Sequence, residues 1–169
     1  MFEINNITSR RMIKIVALIF VGCAIVLLFT TFDMIKSRIR DAERRSGIKN
    51  LAKALELYHD KYDNYPDSAD DGQGWDLSSN YDSNGEPDFL TALKTEGFIN
   101  RTIGDPVNDI FYYYRYRKYK AGEFGCQNSF YILQIANFEL PAKDNGVGEC
   151  PDFNWVQTTL NGYTMQGFD

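Results

Sequence analysis

Between Asn80 and Thr91 the chain places oxygen-bearing side chains at the spacing of a calcium loop. Asn80, Asp82, Asn84, Glu86 and Asp88 take the first, third, fifth, seventh and ninth places of that template, and Gly85 takes the sixth. Calcium gathers about six to eight oxygens, and a glycine at the sixth place permits the sharp turn that brings them together. Thr91 replaces the bidentate glutamate of the twelfth place, and the first place holds Asn rather than Asp. The expectation is therefore weak calcium binding through Asn80, Asp82, Asn84, Glu86 and Asp88, with a plain solvated loop as its alternative.

Other chemistry-bearing residues are sparse. His59 is the one histidine, so neither a zinc site nor a Ser-His-Asp triad has its minimum parts, and it reads as a solvated helix residue. The carboxylates crowd into a glycine-containing stretch, a poor setting for the raised-pKa acid of a glycosidase pair. No enzyme is expected. Cys126 and Cys150 are the only cysteines beyond the apolar run that holds Cys23. Paired, they would close a loop of about 25 residues, suit an oxidising compartment and stabilise by about 3 kcal/mol. Unpaired, they would be two thiols of a reducing compartment. No CxxC motif points to a metal or redox centre. Tyr112 to Lys120 interleaves tyrosines with Arg115, Arg117, Lys118 and Lys120, a composition able to stack single-stranded bases. On a strand the tyrosines 112, 114 and 116 would share one face, and cross-strand packing explains them equally well.

Charge decides against that nucleic-acid reading. Three of the 18 basic and one of the 23 acidic residues precede Asp33, leaving 15 against 22 in residues 33–169. A surface carrying that excess of negative charge repels a polyanion.

The elements that would position these groups begin with an apolar run. Ile15 to Phe32 is uncharged over 18 residues, 15 of them apolar. As a helix it spans roughly 27 Å, enough for one passage through a hydrocarbon core of about 30 Å. No second run of that length exists, so a multi-spanning protein is excluded. Thr30, Thr31, Phe32 and Asp33 follow without a small-x-small cleavage pattern, which favours a retained anchor over a cleaved signal. Orientation stays open on charge alone, because Arg10, Arg11 and Lys14 precede the run while Lys36, Arg38, Arg40, Arg44, Arg45 and Lys49 follow it.

Beyond the run the helical pattern continues. Ile35, Ile39 and Ala42 form one stripe, and Ile48, Leu51, Ala52, Leu55, Tyr58 and Tyr62 form a second, with Gly47 at the change of phase. The expectation is one helix to about Tyr62, bent at Gly47, or else two helices broken near Asp33 or Gly47. Asn64, Tyr65 and Pro66 supply the stop. Residues 60–88, with nine acidic side chains and one lysine, read as a long loop. A short helix fits Asp88 to Glu96. Ile110 to Tyr119 and Ser129 to Glu139 then read as a hairpin turning through Lys120 to Asn128, with a third strand from Trp155 to Leu160 or from Gly162 to Gln166. One helix stripe against one sheet face makes a two-layer α+β domain.

In this order, Arg40-Asp41-Ala42-Glu43-Arg44-Arg45, Leu51 to Tyr58 (LAKALELY) and Tyr62-Asp63-Asn64-Tyr65-Pro66 resemble the helix-to-loop segment of type IV pilins and type II secretion pseudopilins. Phe89-Leu90, Leu93, Gly97-Phe98-Ile99, Asp105-Pro106 and the strand at Tyr112-Tyr113-Tyr114 continue the likeness over roughly residues 13–140. The resemblance implies a pilin-like fold. It divides the chain into a cytoplasmic tail (1–14), a transmembrane helix (15–32), an amphipathic extension (33–62) and an extracytoplasmic α+β head (63–169). It also implies a structural role, as a homo-oligomeric filament subunit or in company with other pilin-like subunits. Some pseudopilins hold calcium in a different, later loop, so the resemblance does not place an ion at residues 80–91. One departure is plain: the run holds only Gly22 and no Glu, so the Gly-then-Glu pattern of prepilin processing is missing. A membrane-anchored extracytoplasmic binding domain that never polymerises is the competing expectation.

Overall fold

The computed structural model describes residues 3–69, 74–80 and 89–169, with the backbone alone for residues 3–11 and 28–30. Helix α1 is Glu3–Tyr62, and the chain divides into two units, Met1–Ile39 and Arg40–Asp169.

The described residues of the first unit are all helix. Residues 15–27 are apolar on every side, and residues 12–27 are all exposed, no described residue lying against them. It is the one helix among the described residues that is long and apolar enough to cross a membrane. The Thr31 hydroxyl donates to the Leu27 carbonyl at 3.0 Å, which hides a polar group within the helix itself.

In the second unit the same helix acquires a face. Arg44, Ile48, Leu51 and Leu55 are fully buried at alternating spacings of four and three, with Ala52 and Ala54 beside them. Each such aliphatic side chain contributes about 1.5–3 kcal/mol on burial. The helix is unbroken at Gly47, for residues 46–49 are all helical. Gly47 serves close approach: a Cβ there would stand 2.5 Å from the Tyr114 hydroxyl oxygen. The helix ends through Asp63, whose φ of 54° is left-handed and whose N–H returns to the His59 carbonyl at 2.7 Å.

The helix packs on an antiparallel sheet of four strands in the order β1 (Asp76–Leu77), β2 (Tyr114–Tyr119), β3 (Phe130–Ile135) and β6 (Tyr163–Phe168). Between β1 and β2 lies α2 (Thr91–Thr95); β4 (Glu149–Cys150) and β5 (Phe153–Asn154) form a separate ribbon. Tyr114, Tyr116, Tyr131, Leu133 and Ile135 join the helix stripe in one core.

Several expected boundaries move, each for a local reason. The strand expected from Ile110 begins at Tyr114, because the Asp109 carboxylate accepts the N–H groups of Phe111 and Tyr112, both at 2.8 Å, and bends the chain there. Strand β3 stops at Ile135, beyond which the Asn161 amide ties the carbonyls of Phe138 and Leu140 into a loop. Of the two candidate third strands, the one near Gly162 forms. Trp155–Thr158 is a 3₁₀ turn, started by the Asn154 side chain accepting the Val156 N–H at 2.9 Å. The domain also exceeds two layers. Every residue of β3 is buried, since Trp155 and the Cys126–Cys150 bridge cover the face turned away from α1.

Candidate functional site

The best-defined polar site grows out of the helix stripe. Arg44 stands four residues before Ile48 and is fully buried, so its guanidinium must find partners inside the protein. It forks onto Asp105, with Nε 2.7 Å from Oδ2 and Nη2 3.0 Å from Oδ1. Its Nη1 donates to Asp41 Oδ1 at 2.7 Å and to Glu139 Oε1 at 2.9 Å. Arg40, one turn earlier, forks onto the same Glu139 through Nε at 2.6 Å and through Nη2. The ring of Tyr112 lies against the Arg44 guanidinium, 4.6 Å from its centre.

Backbone groups complete the clasp. Asp41 accepts the N–H groups of Glu139 and Leu140 at 3.0 Å each, and Asp105 accepts that of Val107 at 2.9 Å. Burial alone would pull the Arg44 pKa down. The hydrogen bonds and charges of Asp105, Glu139 and Asp41 outweigh burial and hold it above the usual arginine value. The arrangement joins α1 to the loop at 105 and to the segment at 139. Its carboxylates are occupied by arginines and backbone N–H groups, so it fixes geometry and presents no nucleophile paired with a base.

A second polar convergence lies near the end of α1. The hydroxyls of Tyr65 and Tyr131 both donate to Glu56, at 3.1 Å. Burial first, and then the Glu56 charge, push both phenols above their ordinary value. His59 is not the solvated residue expected: its Nε2 is 3.1 Å from Asp169 Oδ1, and its ring lies 4.7 Å from that of Tyr65.

The cysteine pair does form. Cys126 and Cys150 are bridged, their Cα atoms 5.2 Å apart and 24 positions apart in sequence. The bridge ties the β4–β5 ribbon to the turn between β2 and β3, beside Tyr119, Phe130 and Trp155.

The interleaved strand is used for packing. Tyr114, Tyr116 and Tyr119 are buried, and Tyr119 stacks on its cross-strand partner Phe130 at 4.9 Å. Arg115 lies over Trp75 at 4.4 Å and donates to Gln134 at 2.7 Å and to Thr158 at 2.8 Å, while Lys118 pairs with Asp67 at 3.0 Å. Of the calcium candidates, Asn80 sits just past β1, its N–H on the Leu77 carbonyl at 3.2 Å. Asp82, Asn84, Glu86 and Asp88 lie outside the described residues, and among the described residues no group of acidic, His or Cys side chains is arranged to hold a metal.

Sequence reasoning missed the Arg44 clasp, although a signal existed. Arg44 extends the Ile48–Leu51–Leu55 stripe backwards by one turn, and a cation on the buried face of a helix calls for carboxylates opposite.

The fold and the clasp together define an α+β protein whose N-terminal helix is apolar enough to cross a membrane and continues onto an antiparallel sheet. Compared with protein-family models, with curated proteins and with solved structures, the chain finds no match.

Proposed function

We propose that the chain is a single-span assembly subunit of the type IV pilin or type II secretion pseudopilin kind. Residues 1–14 are then cytoplasmic, 15–32 cross the bilayer and the remainder is extracytoplasmic. The work is helix packing, in the membrane and in the core of a filament, with the sheet and its loops displayed outward; no catalytic role is proposed.

The observation that carries this reading is the double use of α1. Up to Ile39 it leaves large apolar side chains exposed, among them Leu18, Phe20, Phe32 and Ile35, which calls for burial against lipid or against other helices. From Arg40 it is the central helix of a folded head. The Cys126–Cys150 bridge supports an oxidising, extracytoplasmic setting for that head.

A second reading keeps the anchor and drops assembly: a membrane-tethered extracytoplasmic binding domain. The absence of glutamate from Ile15–Phe32 favours it. Electron microscopy of filaments sheared from cells producing the chain separates the two. Assembly predicts filaments that contain this chain around a core of packed helices. The tether predicts that the chain stays monomeric in the membrane fraction.

A further inference from the structure

Asn100-Arg101-Thr102 sets an asparagine two residues before a threonine, and neither Arg101 nor the following Ile103 is a proline. This is the acceptor pattern of asparagine-linked glycosylation, in which the amide is the nucleophile and the hydroxyl two residues on is what the transferase grips. Of the asparagines that follow the apolar run, Asn100 alone has it.

The fold uses neither of the two polar groups. The triplet lies between α2 and β2 in a stretch without helix or strand, and Asn100 is exposed. Among the described residues its amide has no hydrogen-bond partner. Thr102 Oγ1 is buried and is likewise unpartnered among the described residues. The same loop satisfies its other polar side chains. Asp105 is bonded through both carboxylate oxygens, and Asn108 through both atoms of its amide. A buried hydroxyl without a partner costs stability that a valine of nearly the same shape would not. The hydroxyl at 102 is thus unfavourable to the folded head, and a use outside the fold accounts for it.

The surroundings accommodate a sugar. Asn100 and Arg101 border an open groove of about 660 Å³, bordered also by Glu43, Ser46 and Asn50 of α1. Those side chains can donate to or accept from sugar hydroxyls.

We propose that Asn100 is the acceptor of an asparagine-linked glycan, its donor an oligosaccharide carried on a polyprenyl diphosphate. The Asn100 amide nitrogen bonds to the anomeric carbon of the first sugar. The bond from that carbon to the diphosphate oxygen breaks, polyprenyl diphosphate leaves, and one amide proton passes to a base of the transferase. Because Thr102 Oγ1 is buried in the folded head, transfer precedes closure of the clasp between Arg44 and Asp105, three residues further on. This inference rests on the extracytoplasmic placement of the head in the proposed function and not on filament formation.

The test takes the full chain from the membranes of the cells that make it and weighs its peptides by mass spectrometry. The peptide holding Asn100 should carry the added mass of an oligosaccharide. Asn100→Gln and Thr102→Val should each lose that mass completely, and Thr102→Ser, which keeps the hydroxyl, should retain it. A bare Asn100 in the parent chain, or a mass that persists in Thr102→Val, overturns the inference. Made in cells without a glycan donor, Thr102→Val should unfold at no lower denaturant concentration than the parent. A lower midpoint gives the hydroxyl a role in the fold and overturns the inference as well. Placement is read apart from the glycan, with a membrane-impermeant maleimide on Lys94→Cys, in the Cys23→Ser background, in cells whose membranes are sealed. A head that labels while Asn100 is bare overturns the glycan alone; a head that does not label overturns the placement and the glycan with it.

Discussion

Helix α1 uses the same secondary structure in two opposite ways. In the first unit the apolar residues cover every side, and none of residues 12–27 is buried. In the second they are confined to a stripe, and Ile48, Leu51 and Leu55 have no exposed surface at all. The difference teaches where each stretch finds its stability. A stripe can be satisfied by one sheet of its own chain, whereas a helix apolar all round needs an apolar surrounding supplied from outside.

The contrast breaks most sharply at Arg44. Arg44→Ala leaves Asp105 buried beside Glu139 without their shared cation, and should cost about 3–5 kcal/mol. Denaturant unfolding of the detergent-solubilised chain measures it. A loss under about 1 kcal/mol would mean that water already satisfies the clasp.

A matched pair tests the comparison itself. Leu51→Ala should destabilise the head by about 2–5 kcal/mol, because it opens a cavity under the sheet. Leu18→Ala, the same truncation at an exposed position, should leave the head's denaturation midpoint unchanged. Equal effects would show that both stretches are packed alike.

Reduction of the Cys126–Cys150 bridge acts on the face turned away from α1. It should cost about 3 kcal/mol. Near-ultraviolet circular dichroism should register it through Trp155 and Tyr119, which pack beside the bridge. An unchanged midpoint after reduction would show the β4–β5 ribbon to be held by packing alone.

The smallest effect concerns Tyr131. Losing its hydrogen bond to Glu56 in Tyr131→Phe should cost about 1 kcal/mol at neutral pH. Burial raises Tyr65, Tyr114, Tyr116 and Tyr131 above the ordinary phenol value, all on the helix side. The unfolded chain therefore releases these protons first, and the contribution of these tyrosines to stability is flat below about pH 10 and falls above it. Tyr131→Phe should make that alkaline fall shallower; an identical slope would remove Tyr131 from the account.

Much of this was legible in the chain itself. The uncharged run, the stripe from Ile48 to Leu55 and the hairpin of β2 and β3 follow from period and β-forming aromatics, and the bridge of Cys126 and Cys150 was one of the two readings their count allowed; Tyr62, expected on the stripe, is exposed. What escaped was decided by side-chain hydrogen bonds that have no period. Asp109 shortened a strand, Asn154 turned a candidate strand into a 3₁₀ turn, and the two residues of β1 hid inside an acidic stretch. The clasp escaped because Asp105 and Glu139 lie 61 and 95 positions from Arg44, beyond any local pattern.

The central claim is that α1 is an anchor that also assembles, and the mature N-terminus tests it most directly. Mass spectrometry of the chain from sheared surface filaments and from membranes should find, in the filament fraction, an N-terminus within residues 10–20. Only intact Met1, in a monomeric membrane fraction, would contradict it.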